Sequence, residues 1–339
     1  MKVLIISNMY PSKQKPYAGI FVLNQYNSLK KEYTDVELFY MLRTFTSSVQ
    51  SIMKYIKASL RFIPFMFKKY DVIHLHYFFP LIILAHFYKV FHKKSKLIVT
   101  FHGSDIKEKI QSRKSKTFFR FFTKKIDTTI AVGIDLSKDI ESKLELKVDK
   151  ILSAGVDDTV FYKEENIIKE YDFIFVGSFI YRKGIDIIID VIKELNNKQL
   201  SFCFVGSGEY LNSLLEIKDL YNINIFENQT QEQLRNLYNK SRYFLFPSRN
   251  EPFGLVATEA IYCGVPIIVS TSGGLKEQAI EGETGFFANT HQEVLKTIIK
   301  TNSITKEEYD IMVNKTLLAN KEFSLENITK QLLKIYKIN

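Results

Sequence analysis

Two glutamates separated by seven residues, Glu251 and Glu259, stand in the segment PSRNEPFGLVATEAIYCGVPIIVSTSGG, residues 247–274. The run RYFLFPS (242–248) before them reads as a strand, so the segment covers a strand end, a short loop and a helix start. Pro252 suits a helix start, because its missing N–H is not needed there, and the helix is expected to begin around Phe253–Gly254. Gly254 lets a ligand approach the backbone closely. The free N–H groups of the first turn, with the helix dipole, form a ready site for a phosphate. Glu259 lies among Val256, Ala257, Ala260 and Ile261, where a carboxylate needs a partner. Ribose hydroxyls would serve, and so would a basic residue. Glu251, at the rim, can accept a hydrogen bond from a sugar hydroxyl or cap the helix.

A second segment, VGSFIYRKGIDIII (176–189), is a strand end, a loop with Arg182 and Lys183, and a helix. A diphosphate fits such a loop, since lysine offers a point charge and arginine a forked donor set. A solvated basic pair is the plainer reading. In TFHGSD (100–105), His102 and Gly103 fall at the carboxyl end of a strand, and Asp105 is placed to cap the next helix. His74 and His76 share one strand face, with a core role at least as fitting for His74. Gly19, in the loop 7–21, is a turn glycine or a point of close ligand approach. No Asp-x-Asp triplet occurs, so a metal clamp on a diphosphate is not indicated; a helix N-terminus and Lys183 would neutralise it instead. The Gly-x-Gly of FVGSGEY (204–210) lacks a third glycine and is weak evidence for a dinucleotide cofactor. Cys203 and Cys263 sit in apolar runs as buried thiols, without disulfide or zinc spacing.

Positioning these residues takes an alternation of strands and helices. Continuous apolar runs such as VLII (3–6) mark strands buried on both faces of a parallel sheet. Further strands are read at 36–41, 71–76, 96–102 and 128–133, with helical patterns between. The alternation restarts after residue 170, with strands at 172–178, 199–208, 223–228, 242–248 and 266–274. Two doubly wound α/β domains are expected, each with its ligand crevice at the carboxyl ends of its strands, facing across a cleft. The boundaries are 1–163 and 164–322, with a polar linker at 163–171 and a final helix over 323–339 that packs back on the first domain or the second.

Residues 1–163 hold 28 lysines and arginines against 14 acids, a net +14, and residues 164–339 hold 19 against 23, a net −4. The basic half is expected to meet an anionic surface. Two stretches, 48–70 and 113–125, mix aromatics with Lys and Arg. They read as membrane-surface helices or as ordinary helices that cover the sheet with lysines outside. No run reaches the length of a membrane span, and MKVLIIS leads straight into a strand with no signal peptide, so a cytoplasmic place is expected.

The segment 247–274 resembles the signature of the family-four retaining glycosyltransferases of GT-B fold: a Glu, seven residues and a second Glu, with PFG after the first and EA at the second. GVPIIVSTSGGLKEQAIEGETGFF (264–287) continues the pattern with Gly273, Gly274, Glu277 and Gly285. The resemblance implies that Glu259 holds the donor ribose and Glu251 the transferred sugar, with Phe253, Gly254 and Leu255 at the donor-binding turn. It implies diphosphate contacts from Arg182 and Lys183, with Ser178 where the family has its first basic residue. His102 resembles the acceptor-domain histidine that faces the sugar, and Gly19 the loop that approaches the phosphates. SAGVDDTVF (153–161) resembles the structural loop ahead of the family's linker. The expected activity is metal-independent, cofactor-free transfer of a sugar, with retention, from a nucleotide-diphosphate sugar to a hydroxyl acceptor. That acceptor would be a growing cell-surface glycan or its lipid carrier at the inner membrane face. A nucleotide-sugar epimerase or a phosphorylase on the same fold is the second reading. A non-catalytic membrane- or nucleic-acid-binding protein is the third, although nucleic acid is not the expected partner.

Overall fold

The computed structural model describes residues 1–12, 15–33, 35–41, 48–103, 113–319 and 321–337, with side chains from residues 53 and 115 onward in the helices that begin at 48 and 113. Asp105 lies outside the described residues. The chain forms two units, Met1–Gly155 with Leu325–Asn339, and Val156–Ser324.

In chain order the first unit runs β1 (Val3–Ser7), α1 (Ile20–Glu32), β2 (Val36–Tyr40), α2 (Ser48–Met66), β3 (Val72–His76), α3 (Ile82–Phe91), β4 (Lys96–Phe101), α4 (Arg113–Thr123), β5 (Thr128–Ala131), α5 (Ile134–Leu144) and β6 (Lys150–Ile151). The second unit runs β7 (Tyr171–Val176), α6 (Ile185–Leu195), β8 (Ser201–Val205), α7 (Leu211–Ile217), β9 (Asn222–Phe226), α8 (Gln231–Asn239), β10 (Ser241–Phe246), α9 (Leu255–Tyr262), β11 (Ile267–Val269), β12 (Gly285–Phe287), α10 (His291–Thr301) and α11 (Lys306–Leu318). The last helix, α12 (Leu325–Lys337), returns to the first unit, where Ile328, Leu332, Ile335 and Tyr336 join the core of Val3, Ile5, Val72 and Ile98.

Both sheets are wholly parallel. Their orders are β2-β1-β3-β4-β5-β6 and β12-β11-β10-β7-β8-β9. The two units therefore share the doubly wound plan but not the strand order. The winding direction reverses between β1 and β3 in the first sheet, and between β7 and β10 in the second. A doubly wound sheet opens its ligand crevice at that switch point, because the loops leaving the two strands diverge to opposite faces. The loops that border these crevices are those after β1 and β3, and those after β7 and β10.

Several elements depart from the sequence expectations. Strands β6 and β12, of two and three residues, fall in segments with no readable run. The expected strand 266–274 ends at Val269, and Gly273–Glu277 form a 3₁₀ turn instead. The helix expected from Phe253–Gly254 begins at Leu255, because Gly254 takes a left-handed φ of 92° that no helix interior tolerates. The break between units lies at Gly155/Val156, since Val156 and Phe161 already belong to the second core. The polar stretch 163–171 is strapped to that unit. Glu164 pairs with Arg235 at 2.6 Å, and the Lys169 ammonium donates to the carbonyls of Asn239 and Ser241 at 2.8 and 2.9 Å.

Candidate functional site

In the second unit the loops after β7 and β10 are locked together. The Arg249 N–H donates to the Arg182 carbonyl at 2.9 Å, and the Ser248 hydroxyl donates to the same oxygen at 3.2 Å. The Arg249 guanidinium clasps Asp186 through two bonds of 2.7 Å and stacks 3.7 Å over the Tyr181 ring. A Cβ at Gly184 would stand 2.1 Å from the Pro247 carbonyl oxygen, so only glycine permits this approach. The two segments singled out in the sequence thus meet at the switch point. The Lys183 ammonium forms an ion pair with Glu251, both side chains are mostly buried, and the ammonium also lies 5.3 Å from the Phe246 ring. Glu251 therefore does not cap the helix. Arg182 holds the loop through its carbonyl, while its side chain is exposed, as is Ser178.

Glu251 is fixed from a third side. The Gly274 N–H donates to its carbonyl at 3.2 Å, and a Cβ at Gly273 would stand 1.8 Å from that oxygen. Helix α9 starts from Gly254 with no side-chain cap. Its first turn is held from the flank, where the Gln278 amide donates to the Phe253 carbonyl at 2.6 Å and accepts from Thr258 at 2.7 Å. The helices α8, α10 and α11 instead begin with Thr capping boxes that occupy the terminal N–H groups. Helix α9 keeps its N-terminus open to an anion, with Phe253 buried beneath it and Leu255 half-buried.

Glu259 projects from α9 with partial solvent access. The dense protein around its carboxyl pushes its pKa up to about 8, and the hydrogen bond with Tyr238 pulls the other way without offsetting this. Among the described residues no Lys or Arg pairs with it. The Tyr238 hydroxyl lies 3.2 Å from its carboxyl oxygen and 3.0 Å from the Val256 carbonyl oxygen. One phenolic proton cannot serve both; a protonated Glu259 donating to the phenol, which donates to Val256, satisfies all three groups. Tyr238 escaped the sequence reading, since it stands in QEQLRNLYNK with no spacing to mark it.

The first unit brings a different set to its switch point. His76 ends β3, and His102 follows β4. Their rings meet at His76 Nδ1 and His102 Nε2, 3.2 Å apart. His102 also packs on Tyr77 and Phe21, with ring centroids at 4.4 and 5.0 Å. His74 is satisfied on both nitrogens, by Thr100 and by Tyr336 of α12, each at 2.7 Å. His76 Nε2 is buried with no partner among the described residues. Burial depresses all three rings, His76 to about 3 and His74 and His102 well below the ordinary histidine value. Gly19 starts α1 at φ 71°, where a Cβ would stand 2.8 Å from the Met9 carbonyl carbon; the local packing alone already requires glycine.

Two parallel six-stranded α/β units, each doubly wound, are the architecture of the GT-B fold. The model of the glycosyl transferases group 1 matches residues 158–315, and that of glycosyltransferase family 4 matches residues 20–158. The chain belongs to the family-four glycosyltransferases. It is 28% identical to an uncharacterized glycosyltransferase of Methanocaldococcus jannaschii, over 99% of each chain. Among solved structures, sucrose-phosphate synthase from Thermosynechococcus elongatus superposes with a TM-score of 0.78 at 18% identity, covering 99% of this chain and 98% of that one. HepE of Anabaena, in complex with UDP-glucose, superposes at 0.75 and 16%, covering 99% of each.

Proposed function

We propose that the protein transfers a sugar, with retention of anomeric configuration, from a nucleotide-diphosphate sugar to a hydroxyl of a cell-surface glycan or glycolipid. One observation carries the reading: Glu259, a carboxyl with partial solvent access and a raised pKa, stands on the uncapped helix next to the Lys183–Glu251 pair. A ribose diol would occupy Glu259 as an acceptor of two hydrogen bonds, and the diphosphate would sit on the first turn of α9. Lys183, with Arg182 at the loop surface, would neutralise the leaving diphosphate; such positive groups in a pre-formed site act most where charge develops. Glu251, released from Lys183 as the phosphates arrive, would accept from a hydroxyl of the transferred sugar. His102 in the first unit would orient the sugar by hydrogen bonding, because a ring with so low a pKa is a poor proton acceptor. The HepE structure holds UDP-glucose, which makes a uridine donor the first to try.

The test is incubation with a panel of nucleotide-diphosphate sugars and simple glycan acceptors, following nucleoside diphosphate release and the product anomer by NMR. A retained anomeric linkage supports the reading. An inverted linkage, an epimerised donor or release that depends on inorganic phosphate overturns it.

A further inference from the structure

The first unit carries an apolar and cationic face for which sugar transfer has no use. Helices α2, α3 and α4 each lead to a strand further along one direction of the sheet, so right-handed crossovers place all three on the same side. Helix α1 crosses the other way and packs with α12 on the opposite side. Among the described side chains of α2 only Ala58 and Phe62 are fully buried. A second apolar stripe runs along the same helix and into the turn that follows it, at steps of three and four: Met53, Ile56, Leu60, Ile63 and Phe67. All five are exposed, Leu60 by 60% and Phe67 by 84%. On a period of 3.6 residues this stripe points away from Ala58 and Phe62, so it is not sheet-covering surface. Tyr55, Ile56, Ser59, Leu60 and Ile63 line a shallow groove along it.

The neighbouring helices continue the face. α3 packs on α2 and on α4. It adds Phe87 and Phe91, exposed by 53% and 73%, and α4 adds Phe118 and Phe121. The Phe121 ring lies 5.2 Å from His86 of α3, which joins the two helices. Basic residues edge this surface. Lys57 and Arg61 follow Ile56 and Leu60 by one position and lie along one flank of the stripe, and Lys68, Lys69, Lys93 and Lys94 are exposed at the ends of α2 and α3. Between Glu37 and Asp105 the chain has one acid, Asp71, against ten lysines and arginines. A permanent protein interface is depleted of lysine, whereas an anionic lipid surface takes aromatic and aliphatic side chains at headgroup level and cations around them. No helix among the described residues is long and apolar enough to cross a membrane.

We propose that the α2–α3–α4 face docks the protein on an anionic phospholipid bilayer, with Ile56, Leu60, Ile63 and Phe67 entering the headgroup layer and Lys57 and Arg61 meeting lipid phosphates. The test is flotation of the full chain with vesicles of equal parts phosphatidylglycerol and phosphatidylcholine, beside vesicles of phosphatidylcholine alone. The native chain is expected to float with the anionic vesicles only, and less at high salt. Leu60→Glu with Phe67→Glu should lose flotation at an unchanged melting temperature, since both positions are exposed. Lys57→Ala and Arg61→Ala should each weaken partitioning about five-fold. The native chain remaining unbound, or the glutamate variant floating equally, overturns the proposal. So does self-association of the native chain by light scattering that the glutamate variant abolishes without change in flotation. Thermal shift with nucleoside diphosphates, expected to be equal in all variants, keeps this outcome separate from that of the transferase reading.

Discussion

The two units share one architecture and treat their switch points oppositely. In the second, charge is concentrated: Lys183 pairs with Glu251 and Arg249 with Asp186, beside the uncapped helix that carries Glu259. In the first, the same place is neutral, with His74, His76 and His102 stacked among aromatic rings and held uncharged by burial. A site that must receive a diphosphate needs positive groups and open N–H donors. A site that must seat a neutral hydroxyl needs hydrogen-bonding groups that carry no net charge into a dry pocket. In the proposed reading the same fold would supply both, through a few side chains that differ at the strand ends.

The sharpest way to break this contrast is Lys183→Ala. It should lower kcat/KM for sugar transfer by about a hundredfold to a thousandfold, the usual size of losing one electrostatic stabiliser, while leaving the first unit unaltered. A loss below tenfold would show that the ion pair is structural only. Next in size is Gly273→Ala, which forces a Cβ onto the Glu251 carbonyl at φ 59°. Denaturant unfolding should show the second unit destabilised by about 2 kcal/mol or more, and donor affinity should fall with it.

Titration separates the units by sign. The first-unit histidines have depressed pKa values, so their contribution to stability is complete above the unfolded value of 6.5 and is lost as pH falls below it. Glu259 has a raised pKa, so its folded environment is best tolerated below 4.5 and becomes destabilising as pH rises from there to about 8. Calorimetric melting should therefore show the first unit weakening toward acid. Glu259→Gln should relieve the second unit toward alkali. Parallel pH slopes for the two units would remove the distinction. The smallest expected effect is that of Tyr336→Phe, which deprives His74 Nδ1 of its partner. It should cost about 1 kcal/mol in the first unit and leave nucleotide binding unchanged.

Most of this architecture was legible in the sequence, and for physical reasons. Strands buried on both faces advertise themselves as unbroken apolar runs, as in VLII and DFIFV, and the helix α6 carries its apolar face at clear spacing. Strands β6 and β12 did not, because two or three residues define no period. The segments around Glu251 and Lys183 were both visible, but that they touch follows only from strand order, which placed β7 beside β10. Tyr238 and Arg249 were missed because their partners are distant in the chain or are backbone carbonyls. The Thr-x-x-Glu starts of α10 and α11 were readable capping signals that the periodicity did not need.

The most direct measurement is calorimetry of nucleoside diphosphate binding to the native chain and to Glu259→Gln at neutral pH, in two buffers of different ionisation enthalpy. Ribose hydroxyls donating to both oxygens of Glu259 favour its ionised form, so nucleotide binding should draw its raised pKa down, and the native chain is expected to release protons at neutral pH that the variant does not. The variant should also bind about tenfold to a hundredfold more weakly, as for loss of a hydrogen bond to a charged group. Equal affinity and equal proton release in the two proteins would contradict a donor site at Glu259.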